Sequence, residues 1–373
     1  MQALESVGMH ADLFVLQVVL PVGISFYTFQ SLNYGIDVYS RKIEAVRDPI
    51  VFLAFVSYFP HLVAGPIQRA IDLLPQFLVP RTTSWQQIQS GCRQALWGLF
   101  KKMVVADTVA EHVNYVFANC GELDGVSLLI GAFLFSMQIY CDFSGYTDVA
   151  IGTSRLMGFE LKPNFALPYF SRNIAEFWRR WHIALSLWFR DYVYIPLGGN
   201  RAGKLRTMLN ILITFTLCGL WHGANWTFVM WGFLNGAAFI PLILLNRHQS
   251  DKEIVAKDRA LPTWGEAGGM FLTQCFVLVS WVFFRAETMT QAWTFLGRGF
   301  THPSLGLDCG RYVESLVLCF VLLAAEWIQR RKAFGLELEG RPLLMRYAAY
   351  AALLVAMVEL GSRTAVPFIY FQF

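Results

Sequence analysis

The stretch VSLLIGAFLFSMQIYCDFSGYTD, residues 126–148, decides the class of fold. Its first part, 126–140, carries no charge, and Asp142 and Asp148 follow at once. An α-helix rises about 1.5 Å per residue, so crossing a hydrocarbon layer of roughly 30 Å takes about 20 residues. The uncharged run is shorter than that, and it spans only by extending at one end or by thinning the bilayer locally. The two carboxylates then stand near membrane depth, where each needs solvent, a partner or a function.

The rest of the chain has the same character. Of its 373 residues 55% are hydrophobic and only 15% are charged, with a mean hydropathy of +0.44, whereas a soluble domain has about a quarter of its residues charged. Upstream, an apolar segment over 13–35 is interrupted by Pro21 and Gly23, which predicts a kinked or broken helix. The run 51–63 is short and leads into HLVAGP (61–66), the pattern of a tilted or re-entrant piece. Residues 88–118 interleave Lys101, Lys102, Asp107 and Glu111 with aliphatic side chains and are expected partly at the interface.

Downstream, FWRRWHIALSLWFRDYVYIPLGG (177–199) mixes tryptophan, arginine and histidine in a way that suits an interfacial or cavity-lining helix. Apolar helices at 208–220 and 226–245 flank GLWHGANW (219–226). Further spans are expected at 268–284, 312–327 and 343–359, with a surface helix over 285–299 and an aromatic anchor in the tail FIYFQF. The expectation is an all-α, polytopic membrane protein with about eight to ten embedded segments, forming a single domain over 1–373.

Glu5, His10 and Asp12 precede the first apolar block without an early Lys or Arg, so insertion falls to the first spanning helix rather than to a secretory signal. Arg201, Lys204 and Arg206 before one span, and Arg330, Arg331 and Lys332 after another, place both positions at the cytoplasm. Basic residues outnumber acidic ones from Arg155 to Arg206, which suits anionic lipid or an anionic substrate. They are embedded among aromatic membrane segments, which excludes a basic nucleic-acid module. The seven cysteines form no CxxC pair, so neither a disulfide framework nor a zinc site is indicated. His182, His222 and Asp142 lack metal-ligand spacing, and FSG at 143–145 is not a GxSxG elbow.

Chemistry is sought among polar residues at membrane depth, because their desolvation requires compensation. His222 is the leading catalytic candidate. It stands in GLWHGANW, where Gly219 and Gly223 permit close backbone approach and Trp221 and Trp226 can wall a cavity. A neutral imidazole there can take a proton from a hydroxyl, although a satisfied structural histidine fits the same residues. His182 has similar status, and a continuous helix would place Arg179 on its face with Arg180 nearby. Asp142, Tyr146, Arg179, Arg180, Trp221 and Asn225 complete the site as substrate-binding or supporting candidates. Broken helices with charged residues also make translocation paths, so a transporter of a glycan or a small acyl carrier is the alternative reading.

Several long motifs in order resemble the membrane-bound O-acyltransferase superfamily, in its bacterial alginate O-acetylase branch. They are PVGISFYTFQSLNYGIDVY (21–39), FPHLVAGPIQR (59–69), QIYCDFSGYTDVAIGTSRLMGFELKPNF (138–165), FWRRWHIALSLWFRDYVYIPLGGNR (177–201), LCGLWHGANWTFVMWG (217–232) and FIYFQF. The resemblance implies that His222 is the catalytic histidine, that His182 is the second active-site histidine, and that an acyl group passes to a hydroxyl. It further implies acetyl transfer to an exported polysaccharide such as alginate, no bound cofactor, and an acetyl-thioester donor such as acetyl-CoA as substrate. Envelope acetyltransferase partner proteins, a multi-pass location in the bacterial inner membrane, and a helical ring around a thin centre with a funnel follow from the same likeness. Family members carry further hydrophobic helices before the segment that begins here at Pro21, so the chain is expected to lack some of them.

Overall fold

The computed structural model describes residues 23–62, 65–247, 250–251, 253–304, 309–362 and 366–369. Part of the expected first span (13–22), part of HLVAGP (63–64), His10, His248 and most of the tail motif lie outside the described residues. Among those described, every regular element is helical. The first half of the chain forms α1 (Ile24–Tyr39), α2 (Pro49–Val56), α3 (Phe59–Leu62), α4 (Ala70–Leu78), α5 (Trp85–Phe100), α6 (Asp107–Ala118), α7 (Gly125–Leu156), α8 (Ile174–Arg180) and α9 (Ile183–Phe189). The second half forms α10 (Gly203–His222), α11 (Trp226–Ala237), α12 (Phe239–Leu244), α13 (Trp264–Arg285), α14 (Met289–Thr301), α15 (Val313–Ile328) and α16 (Leu343–Glu359).

The organising element is α7. The Asp124 side chain caps its start by accepting from the Ser127 amide at 3.0 Å. The helix then runs for 32 residues, straight through the polar motif that follows the uncharged run. It continues because the carboxylates are paired inside the protein. Lys102 lies 2.7 Å from Asp142, and Lys101 lies 2.6 Å from Asp148. Both lysines sit on the single π-helical turn Lys101–Ala106 that joins α5 to α6, a local widening of the helix often found at functional positions. The charged face expected at an interface thus turns inward as a seam of ion pairs, while Glu111 remains exposed. Close approach makes the seam possible, for a β-carbon on Gly145 would sit 2.8 Å from the Gly98 carbonyl oxygen.

Among the described residues three helices are long and apolar enough to cross a membrane: Gly125–Leu156, Trp226–Leu244 and Trp264–Arg285. The helix expected across 177–199 is instead broken into α8 and α9, with Trp181 and His182 between them and a further π-helical turn over Arg190–Tyr194. The Lys204 ammonium donates to the Leu244 carbonyl at 3.0 Å, bringing the start of α10 to the end of α12. Arg330 donates to the Val255 and Ala256 carbonyls in the segment that follows α12. Each basic cluster thus sends one side chain to backbone carbonyls at the end of α12 or in the segment after it.

Candidate active site

His222 is the last residue of α10. Its helix packs against α11 so closely that a β-carbon on Gly219 would overlap the Phe228 carbonyl. The imidazole is half-buried in an aromatic cage, with ring centres 4.7 Å from Trp221, 5.1 Å from Trp231 and 5.1 Å from Phe284. Trp221 is held in turn by stacking on Phe29 of α1 at 5.1 Å, and Phe29 stacks on Trp188 at 3.9 Å. Asn225 is the N-cap of α11, accepting from the Thr227 amide at 3.1 Å and donating to the Glu287 carbonyl at 2.8 Å.

An aromatic wall connects this histidine to the second one. Trp231 stacks on Trp281 at 5.8 Å, and Trp281 meets Trp181, the neighbour of His182, at 5.0 Å. On another side Phe143, edge-on to the His182 ring at 4.7 Å, lies 6.5 Å from Phe26, which lies 6.5 Å from Trp221 beside His222. His182 is 1% exposed and lies between α8 and α9 in a left-handed backbone conformation, φ 41°, ψ 54°. That region costs a residue with a β-carbon about 1–3 kcal/mol and persists only where the surroundings impose it. Here the imposing residue is Asn164, whose backbone carbonyl accepts from the Ile183 amide at 2.9 Å. Its side-chain oxygen accepts from the Ala184 amide at 3.1 Å and faces His182 Nδ1 at 3.1 Å. Burial, with His222 beside it, holds the His182 ring well below the usual imidazole range, which favours the neutral form.

A cavity of about 470 Å³ reaches Asn164, with a largely apolar lining that also carries the charged side chains of Lys101, Asp148, Arg155, Arg180 and Glu326. Glu326 is buried on α15 and accepts from the Tyr140 hydroxyl at 2.7 Å. Arg180 reaches this cavity while bonding the buried Glu176 at 2.9 Å and the Ala166 carbonyl at 3.1 Å. Arg179 faces elsewhere because the helix breaks after Arg180, so the spacing that would align it with His182 is lost. It is exposed and donates to the Ser250 carbonyl at 2.6 Å. Asp142 and Tyr146 belong to a different cluster. Asp142 accepts from the Ile369 amide at 2.7 Å, and Tyr146 packs on Phe368 at 4.7 Å with Lys102 over its ring.

Asn164, Glu176, Lys101 and Glu326 were not singled out as site residues in the sequence. Lys101 and Glu326 carried a usable signal, since each places a charge in or beside an apolar run. Asn164 carried none: its partners are 18 and 20 residues away.

The signature of the membrane-bound O-acyltransferase family, MBOAT, matches residues 45–282, more than half of the chain. A probable alginate O-acetylase of Azotobacter vinelandii is 37% identical over 398 residues, spanning 96% of this chain and 77% of that protein. The chain belongs to the membrane-bound O-acyltransferase family. It falls in the alginate O-acetylase-like branch of that family: the probable alginate O-acetylase of Pseudomonas aeruginosa is 41% identical over 333 residues, with 87% of this chain and 61% of the relative covered. The peptidoglycan O-acetyltransferase of Helicobacter pylori is 35% identical over 303 residues, covering 74% of this chain and 56% of that enzyme. As an MBOAT protein with several apolar helices of spanning length, the chain is an O-acyltransferase and a multi-pass protein of the bacterial inner membrane.

Proposed function

We propose that this MBOAT protein transfers an acetyl group from a thioester donor, such as acetyl-CoA, to hydroxyl groups of an exported, alginate-like polysaccharide, with His222 as general base. The observation that carries the reading is the placement of His222 at a helix end inside an aromatic cage, joined to the buried His182 through the wall of Trp231, Trp281 and Trp181. Relatives named as alginate O-acetylases supply the polymer class. His222 takes the proton of the acceptor hydroxyl as its oxygen attacks the thioester carbonyl; the C–O bond forms, the C–S bond breaks, and the departing thiolate takes up the proton. The aromatic wall keeps water from competing for the acetyl group. A helical ring thinned towards a central funnel would let a donor on the cytoplasmic side and an acceptor delivered by envelope partner proteins meet at this site.

The test is polymer NMR from cells expressing the wild type or His222→Gln in a background otherwise lacking the activity. Ester signals on the polymer with the wild type and none with the variant, at equal membrane abundance, are expected. An unchanged ester content in the variant would remove His222 from the reaction. Labelled acetyl trapped on the protein without acceptor, and chased into product, would replace the one-step scheme with an acyl-enzyme.

A further inference from the structure

We infer that Asn164 is a positioning residue which fixes His182 in the tautomer protonated on Nδ1 and leaves the Nε2 lone pair to accept from a second hydroxyl of the acceptor, beside the one that gives its proton to His222. The inference rests on the reading of His182 as part of the active site, while its first test does not.

The deduction uses donor and acceptor identities alone. The Ala184 amide can only donate, so the Asn164 side-chain atom 3.1 Å from it must be the oxygen; the alternative flip would set an NH₂ group against an N–H. That oxygen can only accept. His182 Nδ1 stands 3.1 Å from the same oxygen, so Nδ1 must carry the proton. In a neutral ring the lone pair is then on Nε2, a buried atom with no hydrogen-bond partner among the described residues. A buried acceptor left open is costly unless something fills it. The ring is steered by its surroundings, with Phe143 set edge-on at 4.7 Å. A second acceptor hydroxyl, beside the one that His222 deprotonates, therefore finds its hydrogen-bond acceptor already oriented at His182.

Asn164 also does this without relying on a mobile side chain. It is fully buried, and its backbone carbonyl holds the Ile183 amide at 2.9 Å, so one residue holds the strained His182 at its ring and at the two amides that follow it. The strand-like pairing is completed by the Ala166 amide donating to the Arg180 carbonyl at 2.9 Å. The strained turn is thus the means by which the Nδ1 edge meets Asn164 and the Nε2 edge is kept open.

The experiment is nitrogen NMR of the full-length chain, ¹⁵N-labelled at histidine and held in lipid nanodiscs, with the His182 resonances assigned by their loss in His182→Gln. The wild type is expected to show a protonated Nδ1 and a bare Nε2 at neutral pH. Asn164→Ala should lose that single tautomer. Asn164→Asp keeps an oxygen in place for Ala184 and guards against misfolding; it should retain the Nδ1 proton. Because a carboxylate favours the imidazolium, Asn164→Asp should also move the acid limb of the pH–rate profile to higher pH, where a structural role would leave the profile unmoved. Normalised turnover of Asn164→Ala is expected to fall at least about 10-fold. A wild-type His182 protonated on Nε2, or a tautomer indifferent to Asn164, overturns the inference, as does full turnover in both Asn164 variants. Full turnover in His182→Gln would instead overturn the reading of His182 in the reaction.

Discussion

His222 and His182, linked by an aromatic wall, are held in place by opposite means. His222 ends a regular 20-residue helix and is fixed by packing, through a glycine contact and a ring of aromatic side chains. His182 sits in a break between two helices of seven residues each and is fixed by hydrogen bonds against its own backbone preference. Close packing leaves a side chain little room to turn, whereas a strained turn persists only while its hydrogen bonds hold it. The regular histidine therefore suits proton transfer along a fixed direction, and the strained one suits fixing the orientation of a substrate.

The largest effect that would sharpen this contrast is expected from His222→Gln. Acetyl transfer per folded protein should fall about 100-fold or more, roughly 2.7 kcal/mol in the barrier, while membrane abundance stays level. His302→Gln, at an exposed ring, serves as the control. Near-normal normalised turnover would break the assignment even if total acetylation dropped.

Next comes the packing itself. Gly219→Leu forces a side chain into the Phe228 carbonyl and should cost about 1–3 kcal/mol of stability, with activity and thermal stability in detergent falling together. A variant that kept its stability but lost turnover would show that the α10–α11 contact serves catalysis more than folding.

Glycine and alanine distinguish the two backbones directly. At position 182 both remove the ring, yet glycine should be the more stable by about 1 kcal/mol because it enters the left-handed region freely. At position 222, inside the last helical turn, alanine should be the more stable by about 0.5–1 kcal/mol. Equal stabilities in each pair, measured by thermal unfolding, would erase the proposed difference.

The smallest effect concerns Asn225. As a helix cap it should lose about 1 kcal/mol on replacement by alanine, with turnover per folded protein unchanged. A selective loss of turnover would return Asn225 to the chemistry.

How much was legible beforehand depends on the range of the interaction. The span expected at 343–359 coincides with the helix α16, and those at 268–284 and 312–327 lie within or beside α13 and α15, because a mostly apolar run is a local property, although of the three only α13 is long and apolar enough to cross a membrane. The position of His222 between two helices was legible for the same reason, since GLWHGANW carries its own glycines and cap. The helix expected over 177–199 failed at Trp181 and His182, where local composition still favours continuation and a distant asparagine decides otherwise. The length of α7 was under-read for a related reason: Asp142 and Asp148 look like an ending until Lys102 and Lys101 are seen opposite them.

By itself, then, the sequence determined the class of protein and the identity of the histidine at the helix end, since apolar run length and short glycine-rich motifs act on neighbouring residues. Only the tertiary structure decided which buried charges are neutralised, which of the two adjacent arginines reaches the cavity, and which nitrogen of His182 is left open. Each of those depends on a partner brought into hydrogen-bond distance by the packing of helices that are remote in the chain, and burial makes such a pairing obligatory without revealing it in the local sequence.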